Sequence, residues 1–111
     1  MTKVDVHSIE DWVKYFESNE TIATYKHSTR CGVSSMAWSR LERGWKSDMT
    51  LLFVDLIRHR ELSDYIAQRT GVRHESPQLI ISRGGNVIDH ASHMEISGHW
   101  VESVENNKIE V

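Results

Sequence analysis

Thr50-Leu51-Leu52-Phe53-Val54-Asp55 is a nearly continuous apolar run bounded by charge. A strand with one wet face alternates polar and apolar residues; one without that alternation is covered on both faces. The segment therefore predicts a central strand with helices packed above and below its sheet.

The flanking segments fit that frame. Ser8 is a candidate N-cap, with Asp11 three residues on, and Ile9, Trp12, Val13 and Phe16 follow at i, i+3, i+4 and i+7, one stripe of an amphipathic helix. Asn19-Glu20 breaks it. Thr21 to Lys26 alternates polar and apolar positions with β-branched and aromatic residues and reads as a strand. Val33, Met36, Ala37 and Leu41 form a second helical stripe that fades near Gly44. Leu62, Tyr65 and Ile66 mark a third helix, with Gly71 as its stop. Leu79-Ile80-Ile81-Ser82 and Val87-Ile88-Asp89-His90 flank Arg83-Gly84-Gly85-Asn86, a hairpin signal. A last helix starts at an N-cap Ser97, with Ile96 and Val101 spaced as a hydrophobic staple and Trp100 and Val104 completing its buried side.

This order, αβαβαββα, places two strands in parallel across a helical crossover, then a second crossover and an antiparallel hairpin. The expected fold is α/β: a central four-stranded mixed sheet flanked by helices, which resembles the thioredoxin-like architecture. With 111 residues the chain is long enough for one core and too short for two, so residues 1–111 are expected to form one domain.

Charge and length narrow the partners. A net charge of -3 with interspersed signs argues against bulk attraction to nucleic acid or to an acidic membrane. No apolar run approaches the roughly 20 residues that span a bilayer. The N-terminus lacks an apolar signal region. One cysteine cannot close an internal disulfide, which favours a reducing compartment; a complete cytoplasmic protein is expected, a monomer or weak dimer.

That cysteine, Cys31, stands in Lys26-His27-Ser28-Thr29-Arg30-Cys31-Gly32-Val33-Ser34, between the first strand and the second helix. A lone intracellular cysteine is often a small buried hydrophobe. These flanks are too polar for a core position, and a strand-to-helix turn exposes its side chain, so a reactive thiol is the better reading. The helix start aims unpaired N–H groups at the sulfur, and Lys26, His27 and Arg30 add positive charge nearby; all favour thiolate. Gly32 is expected to let a substrate approach, and Val33 to pack the helix onto the sheet. Ser34 occupies the place of a second cysteine in a C-x-x-C pattern. A serine can hydrogen-bond the sulfur but cannot resolve a mixed disulfide, which points to one-thiol chemistry completed by a small external thiol. The only proline, Pro77, opens the third strand. In a thioredoxin-like site the Ser76-Pro77 bond is expected to be cis, with the backbone of Ser76 facing the bound partner beside the sulfur.

Three segments carry a more specific resemblance: Lys26 to Cys31, His74-Glu75-Ser76-Pro77-Gln78, and His90-Ala91-Ser92-His93. Their order and spacing resemble the monothiol bacilliredoxins, thioredoxin-fold proteins paired with the small thiol bacillithiol, over nearly the whole chain from Ser8 onward. That family usually has proline and isoleucine after the active cysteine, where this chain has Gly32 and Val33. The resemblance implies that Cys31 takes bacillithiol from a protein mixed disulfide and is regenerated by a second bacillithiol or another reductant. It implies bacillithiol as thiol co-substrate, no tightly bound cofactor, and bacillithiolated proteins as partners.

Two other readings stay open. Cys-Gly-Val-Ser is similar to the Cys-Gly-Phe-Ser of monothiol glutaredoxins, which hold a [2Fe–2S] cluster across a dimer, and Lys26 fits that pattern, whereas Val33 does not. A redox-inert interaction module of the same fold is the other. Among the seven histidines, His90 and His93 on one extended strand would project to opposite faces, and no zinc-like spacing joins them, so no metal site is expected. His74, two residues before Ser76, is placed to steer a small thiol carrying carboxylates.

Overall fold

The computed structural model describes residues 1–30 and 32–109, in the order β1 (Thr2–Asp5), α1 (Ile9–Phe16), β2 (Thr21–His27), α2 (Gly32–Gly44), β3 (Thr50–Asp55), α3 (Arg60–Thr70), β4 (Gln78–Arg83), β5 (Asn86–Ser92), a 3₁₀ turn (His93–Glu95), α4 (Gly98–Val104) and a terminal π turn (Glu105–Ile109). The strands form one sheet in the order β1-β3-β2-β4-β5. β1 and β2 run parallel to β3, β4 runs antiparallel to β2, and β5 runs antiparallel to β4.

The sheet therefore has five strands where four were expected, and the chain opens on a strand. β1 went unread because it is a short edge strand, exposed at Thr2, Lys3 and Asp5 and only partly covered at Val4. An edge strand that buries so little shows no apolar run, and its parallel pairing with β3 is decided by the sheet. The thioredoxin-like plan is unchanged by it.

β3 is covered on both faces, as its sequence requires. Leu51 faces a core shared with Ala23, Tyr25, Leu41, Leu79, Ile81, Val101 and Val104, on the side of α2 and α4. Leu52 and Val54 face the other core, with Trp12, Phe16, Ile22, Leu62, Ile66 and Ile80, on the side of α1 and α3. The caps follow the sequence too: Ser8 Oγ accepts from Asp11 N–H, Ser97 Oγ accepts from Trp100 N–H, and Gly71 closes α3 in the left-handed region.

The buried stripe of α2 is rotated from the expected one. Ala37 and Leu41 are inside, joined by Ser34 and by partly covered Trp38, and Trp45, just past the end of the helix, packs against the same core. Val33 and Met36 stand out in solvent, 46% and 67% exposed, so Val33 does not pack the helix onto the sheet. Positions 34, 37, 38 and 41 are as helical a stripe as the expected one. The two bulky tryptophans flank the core from its rim, and the small Ser34 sits buried at the helix start. At its other end α2 meets α4, with Gly44 and Gly98 in backbone contact.

Candidate functional site

The site residues come together at the carboxyl end of β2. Alternation along this strand sends Ala23, Tyr25 and His27 to the α2 side, while Ile22, Thr24 and Lys26 point to the α3 side. Cys31 itself lies outside the described residues. What the structure describes is its setting: the end of β2, the first turn of α2, and the loop that enters β4.

Ser34 ties these three together. It is fully buried, and its Oγ accepts from Ser28 N–H at 3.4 Å and lies 3.4 Å from Ser76 Oγ. The Ser34 carbonyl accepts from Tyr25 Oη at 3.1 Å. The helix start is thus fastened to the β2 strand, to its exit turn and to the β4 entry loop at once. The Ser76-Pro77 bond is cis, as the fold had suggested.

The cations divide. Arg30 is exposed beside Cys31 in the chain. Lys26 is completely buried; its Nζ donates to the Ser63 carbonyl of α3 at 3.1 Å and lies 3.2 Å from His74 Nδ1. No carboxylate among the described residues forms an ion pair with it, and burial pulls its ammonium down to about 8, against a weaker upward pull from Asp64. His27 is 8% exposed with no hydrogen-bond partner at Nδ1. Burial lowers its pKa from the ordinary value, with Asp55 opposing and Lys3 assisting, so the neutral ring is favoured. Hence the positive charge read from the sequence around Cys31 reaches solvent at Arg30 alone of these three.

The β4 entry loop has its own anchors. Gln78, register partner of Lys26, donates from Nε2 to the Arg73 carbonyl at 2.8 Å. His74 is exposed, with Nδ1 turned inward to Lys26 and 3.4 Å from Ser63 Oγ. The Pro77 carbonyl accepts from His93 N–H at 3.0 Å. His93 is not on the strand with His90, as the sequence suggested. It turns out of β5 with a φ of 55°, leads the 3₁₀ turn, and its Nδ1 lies 3.6 Å from a Glu75 carboxylate oxygen. Arg40 of α2 holds that turn by donating to the His93 and Ile96 carbonyls.

Several supporting residues carried no sequence signal. Ser63 and Arg40 sit 37 and 56 residues from the groups they hold, Lys26 and Ile96, and a lone serine or arginine on a helix looks like surface. Gly32 is exposed and a Cβ there would meet nothing within 4 Å, so no crowding demands a glycine. Val33, Met36 and Met94, the last 76% exposed, leave an uncovered apolar group on α2 and the 3₁₀ turn.

Comparison with known proteins agrees with the fold. A family model described as monothiol bacilliredoxin BrxC matches residues 4–101. Among solved structures, a thioredoxin-fold protein regarded as a candidate oxidoreductase is similar with a TM-score of 0.82 and 29% identity, over 94% of each chain. The thioredoxin of Trypanosoma brucei brucei is similar at 0.77 and 17% identity, over 99% of this chain and 93% of that one. A variant thioredoxin from Halobacterium salinarum gives 0.76 and 15% identity, over 99% and 94%. These last two likenesses concern the fold.

Proposed function

Because the chain belongs to the monothiol bacilliredoxin family, we propose that it removes bacillithiol from protein mixed disulfides, with Cys31 as its nucleophile, in a reducing compartment such as the cytoplasm. In the first step the Cys31 thiolate attacks the bacillithiol sulfur of the mixed disulfide. The Cys31–bacillithiol disulfide forms and the protein leaves as a thiolate. In the second step a free bacillithiol thiolate attacks the bacillithiol sulfur now on Cys31. That releases bacillithiol disulfide and restores the Cys31 thiolate, so the one free bacillithiol has been oxidised into a disulfide and the protein sulfur has been reduced to a thiol.

The observation that carries this reading is Ser34. It is fully buried in the position of a resolving thiol and bonded to Ser28 and Ser76, and the chain has no other sulfhydryl than Cys31. An internal disulfide is therefore closed to it, and the bound thiol waits for a second small thiol. Arg30, Gly32, Val33, His74, Ser76 and Pro77 are the residues proposed to meet the substrate, with Lys26 and Ser34 beneath them.

Intact mass after exposure to bacillithiol disulfide, with glutathione disulfide in parallel, tests the proposal. One stable adduct with the first, absent in Cys31→Ser, is expected, with release only when free bacillithiol is added. An adduct with glutathione disulfide alone overturns the choice of thiol. Removal of bacillithiol from a test protein by Cys31→Ser overturns the mechanism.

A further inference from the structure

Lys26 is a fully buried cation with no carboxylate partner among the described residues, and it spends its hydrogen bonds on the Ser63 carbonyl and on one nitrogen of a surface histidine. We infer that Lys26 is a positioning residue that holds His74 as the neutral Nε2–H imidazole, so that the loop before Pro77 offers a fixed hydrogen-bond donor to an acceptor oxygen, such as a carboxylate, on the small thiol. The inference rests on the function proposed above and names one contact in it.

The argument is one of donors and acceptors. An ammonium has only hydrogens to offer, so the nitrogen 3.2 Å from it must accept. If His74 Nδ1 accepts, the single proton of the neutral ring sits on Nε2. A second proton would put an N–H on Nδ1 against the ammonium, donor facing donor and charge facing charge. The ring is therefore held in one tautomer and kept from charging. Ser63 Oγ, 3.4 Å from the same nitrogen, can donate to it as well.

The remaining charges around His74 do not reverse this. Burial is the first cause that lowers its pKa from the ordinary value and the Lys26 charge the second; Arg60 of α3 adds to them, while Asp64 of α3 and Glu75 of the loop oppose. The Lys26 ammonium, though drawn down to about 8, is still mostly charged at neutral pH. Nε2 makes no hydrogen bond to any described residue, and the side chain is exposed. The loop that carries it enters β4 at Gln78, the register partner of Lys26, and places Ser76 against Ser34 at the start of α2. A donor at Nε2 thus belongs to the end of the sheet where the thiol would bind.

Nitrogen-15 NMR of His74 in the intact wild-type protein reads the tautomer directly. At neutral pH the Nε2–H form is expected; an Nδ1–H or doubly protonated ring overturns the inference. In Lys26→Met the preference for that tautomer should fall and the His74 pKa should rise toward its ordinary value. Exchange with bacillithiol disulfide and with glutathione disulfide, both carrying carboxylates, is then compared for wild type, Lys26→Met, His74→Ala and the double variant. An at least fivefold loss in either single variant is expected, the double variant losing no more than His74→Ala, while alkylation of Cys31 by iodoacetamide stays unchanged. Full exchange activity in His74→Ala, or a further loss in the double variant, overturns it. A wild type that reacts with glutathione disulfide alone defeats the choice of thiol made above, and the same four-way comparison on that reaction still decides for or against His74. Where Lys26→Met does not fold, the wild-type tautomer and His74→Ala carry the decision.

Discussion

The hydroxyl oxygens of Ser34 and Ser76 lie 3.4 Å apart although 42 residues separate them in the chain. Through this pair the first turn of α2 touches the residue that precedes the cis proline. The site is thereby assembled from two loops that have no sequence relation. A serine suits the place because its one hydroxyl can accept from Ser28 N–H and still share a hydrogen with Ser76.

Ser34→Ala should cost about 1 kcal/mol in urea unfolding, the worth of a neutral buried hydrogen bond, and leave adduct formation at Cys31 intact. Ser34→Cys has the opposite effect on chemistry. With a second thiol three residues from Cys31, the mixed disulfide should resolve internally, and mass analysis should find an internal disulfide in place of a persistent bacillithiol adduct.

Stability should rise with pH in two windows. Lys26 is drawn down to about 8 in the fold against 10.5 for an ordinary lysine, so between those values the unfolded chain holds a proton that the folded one has released. Unfolding free energy then climbs with pH, by up to about 3 kcal/mol over the window. His27 and His74 are likewise lowered, so stability falls as pH drops below their ordinary 6.5. Urea titrations should show the upper climb in wild type and its loss in Lys26→Met; an equal slope in both would contradict the assignment.

Gly98→Ala should be strongly destabilising. A Cβ at Gly98 would run into the Gly44 carbonyl and stand 2.9 Å from Gly44 Cα, and backbone at the junction of two helices cannot move aside without parting them. A loss of about 1–3 kcal/mol or more is expected for such overpacking. The reverse substitution, Gly44→Ala, places its Cβ at an ordinary 3.5 Å from Gly98 and should be mild by comparison. Thermal unfolding of the two variants side by side checks this.

The rotated stripe of α2 gives a fourth expectation. Leu41 is fully buried while Met36 is 67% exposed. Leu41→Ala should lower stability by about 2–5 kcal/mol, and Met36→Ser should stay within about 0.5 kcal/mol of wild type. A large loss in Met36→Ser would restore the stripe that the sequence suggested.

What a reader of the chain can see depends on where the information is held. The helices α1 and α3, the caps at Ser8 and Ser97, the stop at Gly71 and the hairpin at Gly84-Gly85 were all legible, because each rests on residues within one or two turns of one another. β3 was legible because burial on both faces removes polar residues from the strand itself. β1 was not, since an exposed edge strand is made by its neighbour.

The thioredoxin-like plan, the single thiol and the serine in the place of a second one are all legible in the chain alone, since they are matters of local periodicity and residue identity. Which cations stay in water depends instead on how the sheet and helices close around them. Lys26, His27 and Arg30 lie within five positions and look alike as charge, yet strand alternation sends Lys26 under α3 and His27 toward the aromatic side chains of Tyr25 and Phe53, and the turn leaves Arg30 outside. Burial then works against the charge on the first two. The partner of Lys26, His74, lies 48 residues away, and no local pattern can announce a contact that exists only once the sheet has closed.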